Sequence, residues 1–281
     1  MRIGLAQMNI IWENKKQNMV KVRNCLDRFV EARSGADNSV SVECADDESG
    51  NDILFFPEMS LTGFSMNTAY TSESAKETVR ECEELAREYG VSIGIGWVKH
   101  GEPLCENHYS IITPDSGEIL DYTKIHPFSY GGESEYFIGG DSLCTCSVGD
   151  MKIGAAICYD LRFPEIFQIL SDSVDLIVVP ANWPERRRKH WMTLLEARAI
   201  ENQCYIAGVN CCGMMNDMYY SGDSCLYGPD GIEAETVYKI VLGAHYNEEK
   251  IFVYDVQNKV SEVRAAFPVK NDRRKDLYRI L

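Results

Sequence analysis

Residues 151–167 read MKIGAAICYDLRFPEIF, and this stretch decides the fold. MKIGAAI is a strand rich in Gly and Ala that ends at Cys158. Tyr159-Asp160-Leu161-Arg162 then turns polar, and Glu165, Phe167 and Leu170 follow at helical spacing. A strand therefore delivers Cys158 into a turn ahead of a helix. Working outward, DLIVVP (175–180) is the next buried strand, and Trp191, Leu194, Leu195, Arg198 and Ala199 mark a second helix. CYIAGVN (204–210) is a third strand, SCLYGPDGIEAETV (224–237) a hairpin, and KIFVYDV (250–256) the final strand.

The first half carries the same rhythm. In MRIGLAQMN, Ile3, Leu5 and Gln7 alternate against Gly4 and Ala6, as a strand requires. Met19, Val22, Leu26, Phe29 and Val30 recur at helical spacing, and ILFFP (53–57) is a short buried strand. Ala75, Val79, Cys82, Leu85, Ala86 and Tyr89 predict a second helix. VSIGIGWV (91–98) is a strand, and HYSIITPDSGEILDY (108–122) a hairpin turning at Asp115-Ser116-Gly117. Each half thus reads β-α-β-α-β followed by a hairpin, with no Pro/Gly-rich linker between the halves. The expectation is one α/β domain over residues 1–281, built from duplicated units, with strand order left open. Ser34 to Asp52 is polar, acidic and aperiodic, and reads as an exposed loop.

Composition narrows the function classes. The 281 residues are 45% hydrophobic and 25% charged, the profile of a globular protein with a substantial core. A net charge of −15 and a pI near 4.8 repel phosphate backbones, so no nucleic-acid partner is expected. No apolar run reaches the roughly 18 residues of a membrane span. The N-terminus lacks the apolar segment of a signal peptide, which predicts a cytoplasmic protein. The eleven cysteines are scattered, form no CxxC pair and have no histidine at zinc-ligand spacing, so neither a disulfide framework nor a metal site is expected.

Three polar residues stand at strand ends. Glu58 follows ILFFP directly, and a carboxylate desolvated at the mouth of an apolar strand suits a general base. Lys124 ends the second strand of the first hairpin, and a buried ammonium opposite a carboxylate can hold a developing oxyanion. Cys158 has the setting of a nucleophile elbow, although the surrounding motif is not GxSxG. The competing readings are a solvated Glu, an exposed Lys and a buried structural Cys. The two charged residues just after Cys158 weigh against a core position. His126 and His190 are the alternative partners for a thiol, with no sequence-level claim on Cys158.

FFPEMSLTGF (55–64), YTKIHPF (122–128) and CYDLRFPEIF (158–167) resemble the three signature segments of the nitrilase superfamily of carbon–nitrogen hydrolases. The resemblance covers nearly the whole chain. GLAQMN (4–9), the run ANWPERRRKHWMTLLEARAIENQCYIAGVN (181–210) and VRAAFPVKNDRRKDLY (263–278) look like the branch holding omega-amidase and Nit-type amidases. The resemblance implies a four-layer α-β-β-α sandwich and a homodimer. It implies Glu58 as general base, Lys124 as oxyanion stabiliser and Cys158 as nucleophile, with no metal or organic cofactor. The backbone N–H of Tyr159 is the second oxyanion donor. A further glutamate of the family falls on Glu133 by its distance from the following Gly-Gly, with Glu135 as its rival. Two departures bear on substrate: the acidic stretch from Glu43 to Gly50, and Cys211-Cys212, where relatives often have an Arg.

The substrate class follows from the arginines. Arg162 lies four residues after Cys158, and Arg186, Arg187 and Arg188 form a basic run in an acidic chain. Arg162, with Arg187 from the run, is assigned to substrate binding, against a structural salt bridge of Arg162 to Asp160 or Glu165. A bidentate guanidinium in the site favours a small amide with a carboxylate at its far end, such as 2-oxoglutaramate or succinamate. N-carbamoyl amino acids meet the same criterion. A nitrile substrate or a non-catalytic scaffold fits less well, since all three strand-end residues are present.

Overall fold

The computed structural model describes residues 1–33, 51–242 and 249–278. Most of the segment expected as an acidic loop, 34–50, lies outside the described residues.

The first half runs β1 (Arg2–Gln7), α1 (Lys15–Arg33), β2 (Ile53–Phe55), α2 (Thr68–Thr71), α3 (Glu77–Tyr89), β3 (Ser92–Lys99), β4 (Glu106–Thr113) and β5 (Gly117–Thr123). The second runs β6 (Thr145–Val148), β7 (Met151–Ala155), α4 (Pro164–Leu170), β8 (Leu176–Ala181), α5 (Arg188–Asn202), β9 (Tyr205–Asn210), β10 (Cys212–Met215), β11 (Met218–Ser221) and β12 (Cys225–Tyr227). β13 (Tyr238–Val241), β14 (Lys250–Asp255) and α6 (Val260–Ala266) follow. Seven strands form one sheet in the order β13-β14-β1-β2-β3-β4-β5, and five form a second, β12-β9-β8-β7-β6. At the heart of each, β1-β2-β3 and β7-β8-β9 are parallel.

Strand alternation sorts the side chains into layers. Ile3, Leu5, Ile53 and Phe55 of the first sheet meet Ile153, Leu176, Val178 and Ala207 of the second in one inter-sheet core. The intervening Ala6, Leu54 and Phe56 face the other way, onto Val22, Leu26 and Phe29 of α1 and Val79, Cys82 and Leu85 of α3. In the second half Ile177, Val179 and Ile206 likewise turn outward onto α4 and α5. Helix, sheet, sheet and helix thus stack in four layers, because runs such as DLIVVP are apolar on both faces. No described helix is long and apolar enough to cross a membrane.

One reading of the second half changes, and the strand order that was left open is set. Only Cys225–Tyr227 of SCLYGPDGIEAETV forms a strand, paired with β9, and its return leg is a single bridge from Tyr227 to Glu233. The Pro-Asp-Gly turn is there, but the acidic residues beyond it do not extend the ladder. The final strand leaves its own half to pair antiparallel with β1, which makes the two sheets unequal.

This topology positions the site. β5 runs parallel to β3, since each pairs antiparallel with β4. Glu58, Lys124, Cys158 and Asn182 therefore follow the carboxyl ends of β2, β5, β7 and β8, the end at which α/β sheets bind their ligands.

Candidate active site

Glu58 sits in a tight turn. Met59 has φ +44°, and the turn is held to β3 by Ser60 N–H donating to Gly96 O (3.0 Å) and Gly96 N–H to Ser60 Oγ (3.0 Å). The Glu58 side chain has no solvent exposure. Its Oε1 accepts from Lys124 Nζ at 2.8 Å and Asn107 Nδ2 at 2.9 Å, and its Oε2 from the Asn182 backbone N–H at 3.0 Å. Asn182 Nδ2 also donates to the Glu58 carbonyl at 2.6 Å. Together these donors hold both carboxylate oxygens as acceptors in one set orientation.

Lys124 lies between two carboxylates. Besides Glu58 it donates to Glu133 Oε2 at 2.8 Å and Oε1 at 3.0 Å. Burial acts to lower its pKa, but the charges of Glu133 and Glu58 outweigh this and push it up, so the ammonium stays charged. Glu133 is equally buried and takes further donors from Asn107 Nδ2 at 3.0 Å and the Phe128 backbone N–H. Burial and the Glu58 charge push its carboxyl up against the pull of Lys124. Glu135 is exposed, so the structure brings Glu133, not its rival, to Lys124.

Cys158 begins a 3₁₀ turn, Cys158–Arg162, between β7 and α4, and its φ is +46°. That left-handed conformation is uncommon for a non-glycine residue and marks a strained elbow. Pro164 then opens α4 at a position where its missing N–H costs nothing. Burial, then the Glu58 charge, drives the Cys158 thiol well above its usual range, and Lys124 only partly offsets this. Glu58 also engages the thiol by a side-chain hydrogen bond. The resting group is therefore a thiol beside a carboxylate, not a free thiolate. Neither histidine takes this place: His126 Nδ1 pairs with Asp160 at 2.9 Å, and His190 Nδ1 lies 3.4 Å from Arg162.

Cys158 opens onto a cavity of about 470 Å³, whose wall includes Tyr159, Asn182, Phe64 and Trp183. Arg162 lines it, with its guanidinium 4.7 Å from the Trp183 ring centroid and 5.8 Å from that of Tyr159. Among the described residues no salt bridge joins it to Asp160 or Glu165. Instead its cation lies over the aromatic rings, in cation–π contact. The basic run divides. Arg186 and Arg187 line the cavity, and Arg187 lies 5.2 Å from the Phe128 ring. Arg188 turns away to Asp223, at 2.7 and 2.8 Å. Burial, then the charges of Arg186 and Arg162, lowers the Arg187 pKa, the sign of cations crowded together.

Asn107 and Asn182, which clamp Glu58, were not singled out from the sequence. Asn182 carried one signal, its place directly after VVPA at the end of a buried strand. Asn107 carried none, because its partners lie 49 and 26 residues away. Among the described residues, no group of three or more His, Cys, Asp or Glu side chains is placed to hold a metal ion.

A family model described as carbon-nitrogen hydrolase matches residues 2–265. The chain is 34% identical over 234 residues to a 2-oxoglutaramate amidase of Bacillus subtilis, covering 81% of this chain and 86% of that protein. It is 33% identical to the omega-amidase YafV of Yersinia enterocolitica, covering 80% and 86%. Among solved structures, a CN-hydrolase superfamily protein of Xanthomonas campestris, with an arsenic adduct in its active site, is similar over 97% of both chains (TM-score 0.78, 26% identity). An amidase of Nesterenkonia sp. AN1 shares the fold over 99% of this chain and 98% of its own, with TM-score 0.78 at 19% identity.

Proposed function

The chain belongs to the carbon–nitrogen hydrolase family, and we propose that it hydrolyses the terminal amide of a small dicarboxylate monoamide, releasing ammonia through a thioester on Cys158. One observation carries this reading: a single cavity joins Cys158 to a wall bearing Arg162, Arg186 and Arg187. The relatives named 2-oxoglutaramate amidase and omega-amidase support the same substrate class. In a chain of net charge −15, such a local cluster of cations is what draws an anionic substrate in.

In the proposed mechanism, Glu58 takes the thiol proton as Cys158 Sγ attacks the amide carbon. Lys124 Nζ and the Tyr159 backbone N–H hold the oxyanion. Collapse breaks the C–N bond, and Glu58 returns its proton to the nitrogen, which leaves as ammonia. Glu58 then deprotonates a water that attacks the thioester, and collapse releases the acid and restores the thiol. Glu133 keeps its hydrogen bonds to Lys124 and takes up no proton in these steps. The proton thus moves from Cys158 to Glu58 as the negative charge moves from Glu58 to the oxyanion, and the cluster keeps one total charge. That constancy matters in a site where an unpaired charge is costly.

The test is ammonia release across a panel of succinamate, 2-oxoglutaramate, butyramide, N-carbamoyl amino acids and nitriles, with Cys158→Ala alongside. The expected result is turnover of the first two, weak turnover of butyramide and none in the variant. Preference for the carbamoyl compounds, or normal turnover by Cys158→Ala, defeats the proposal. A homodimer belongs to the same reading, and sedimentation of the purified chain checks it.

A further inference from the structure

We infer that Asp160 is a positioning residue that ties the nucleophile elbow to both flanks of Lys124, so that one buried carboxylate sets the two halves of the oxyanion site in register. The inference rests on the proposed roles of Cys158 and Lys124. Asp160 lies two residues past Cys158, and its side chain has no solvent exposure. Its Oδ2 accepts the Ile157 backbone N–H at 2.9 Å and the Tyr122 hydroxyl at 2.8 Å. Its Oδ1 accepts the His126 backbone N–H and His126 Nδ1, both at 2.9 Å. Ile157 immediately precedes Cys158, while Tyr122 and His126 stand two residues on either side of Lys124. The His126 ring is pressed flat on Phe163, at 3.7 Å between centroids and 11° between planes, which fixes the far side of the link.

This arrangement has a chemical consequence. The two proposed oxyanion donors, Lys124 Nζ and the Tyr159 N–H, come from opposite sheets with no covalent path shorter than the chain between them. Asp160 joins those sheets next to both donors. An asparagine cannot replace it. Each carboxylate oxygen faces a backbone N–H, so whichever way the amide is turned, its NH₂ meets a donor and one backbone bond is lost.

The test separates a step that forms an oxyanion from one that does not. Amide hydrolysis needs both donors, whereas alkylation of Cys158 by iodoacetamide displaces iodide at carbon and forms no oxyanion. Asp160→Asn is expected to lower kcat for succinamate by about 100-fold or more, the usual cost of losing an oxyanion donor. KM should move little, and the alkylation rate should stay within roughly 10-fold, since Glu58 is held by other residues. A parallel fall of both rates, or no fall in kcat, overturns the inference. His126→Phe keeps a ring on Phe163 but deletes the Nδ1 donor, and carries the test if Asp160→Asn does not fold. It should lower kcat by about 10-fold with alkylation preserved, and equal losses in the two rates refute the coupling. Full turnover by Cys158→Ala would instead defeat the proposed function itself.

Discussion

A glycine in a strand gives the most direct test of how Glu58 is placed. A Cβ built on Gly96 of β3 would stand 2.5 Å from Met59 N, 2.8 Å from Pro57 O and 2.9 Å from the Glu58 carbonyl carbon. All three are backbone atoms of the turn that carries Glu58, and none can rotate aside. The nearest falls short of an ordinary 3.4 Å contact by about 0.9 Å, so Gly96→Ala must push the Glu58 turn by most of an ångström. The turn is pinned by Ser60 and by Asn182, so the shift passes to the Glu58 side chain. A displacement near 1 Å in a reacting constellation costs about 100-fold in rate. Overpacking adds a stability loss of about 1–3 kcal/mol. Gly4→Ala is the matched control, since its Cβ would meet Leu54 Cδ1 at 2.6 Å and Phe29 Cε2 at 2.8 Å, both ends of side chains on the outer face of the first sheet. Urea unfolding should show a loss in both variants, the smaller in Gly4→Ala, whose clashing side-chain ends can shift. Steady-state ammonia release, normalised to alkylatable Cys158, should show a loss of kcat in Gly96→Ala alone. If Gly96→Ala keeps kcat within about threefold of Gly4→Ala, a barrier difference of only about 0.7 kcal/mol, the reasoning fails.

Three further outcomes are expected. Glu133→Gln should lower kcat by about 100-fold and destabilise the fold by about 3–5 kcal/mol, because it leaves Lys124 half-compensated in a dry site, whereas Glu135→Gln should change neither measurably. Arg187→Ala should reduce kcat/KM for succinamate by about 10-fold or more while sparing butyramide, whereas Arg188→Ala, which breaks a half-exposed pair with Asp223, should cost at most about 1 kcal/mol of stability. Away from the site, burial acts to raise the Asp121 carboxyl, but hydrogen bonds and charge from His108 and Lys76 outweigh it and hold it at about 2. Its value in the unfolded chain is about 3.9, so Asp121 stabilises the fold above that pH, and the contribution is lost as pH falls from about 4 to about 2. With the side chain 30% exposed, Asp121→Asn should cost about 1–2 kcal/mol at pH 7 and almost nothing at pH 2 by urea unfolding; an equal loss at both would contradict the linkage.

The sequence determined what depends on neighbours along the chain. Alternation in RIGLAQ and the doubly apolar DLIVVP set strand faces, and the helical spacing from Val79 to Tyr89 set α3, although that helix begins at Glu77 and not at Ala75. The ends of those strands put Glu58, Lys124 and Cys158 where polar groups leave the core. Tertiary structure alone decided what lies across the gap between sheets. Asn182 reaches Glu58 from 124 residues away, and Glu133 was separated from Glu135 only by which of them meets Lys124. Arg187 and Arg188 are adjacent in sequence yet part company because one belongs to the turn Glu185–Arg187 and the other opens α5. The pairing of β14 with β1 was likewise invisible, since strand periodicity fixes a face and carries no record of the neighbour. A strand's own residues specify its periodicity, but the donors around a buried carboxylate are chosen by the fold, because only closing the sandwich brings distant backbone and side-chain groups within hydrogen-bonding reach.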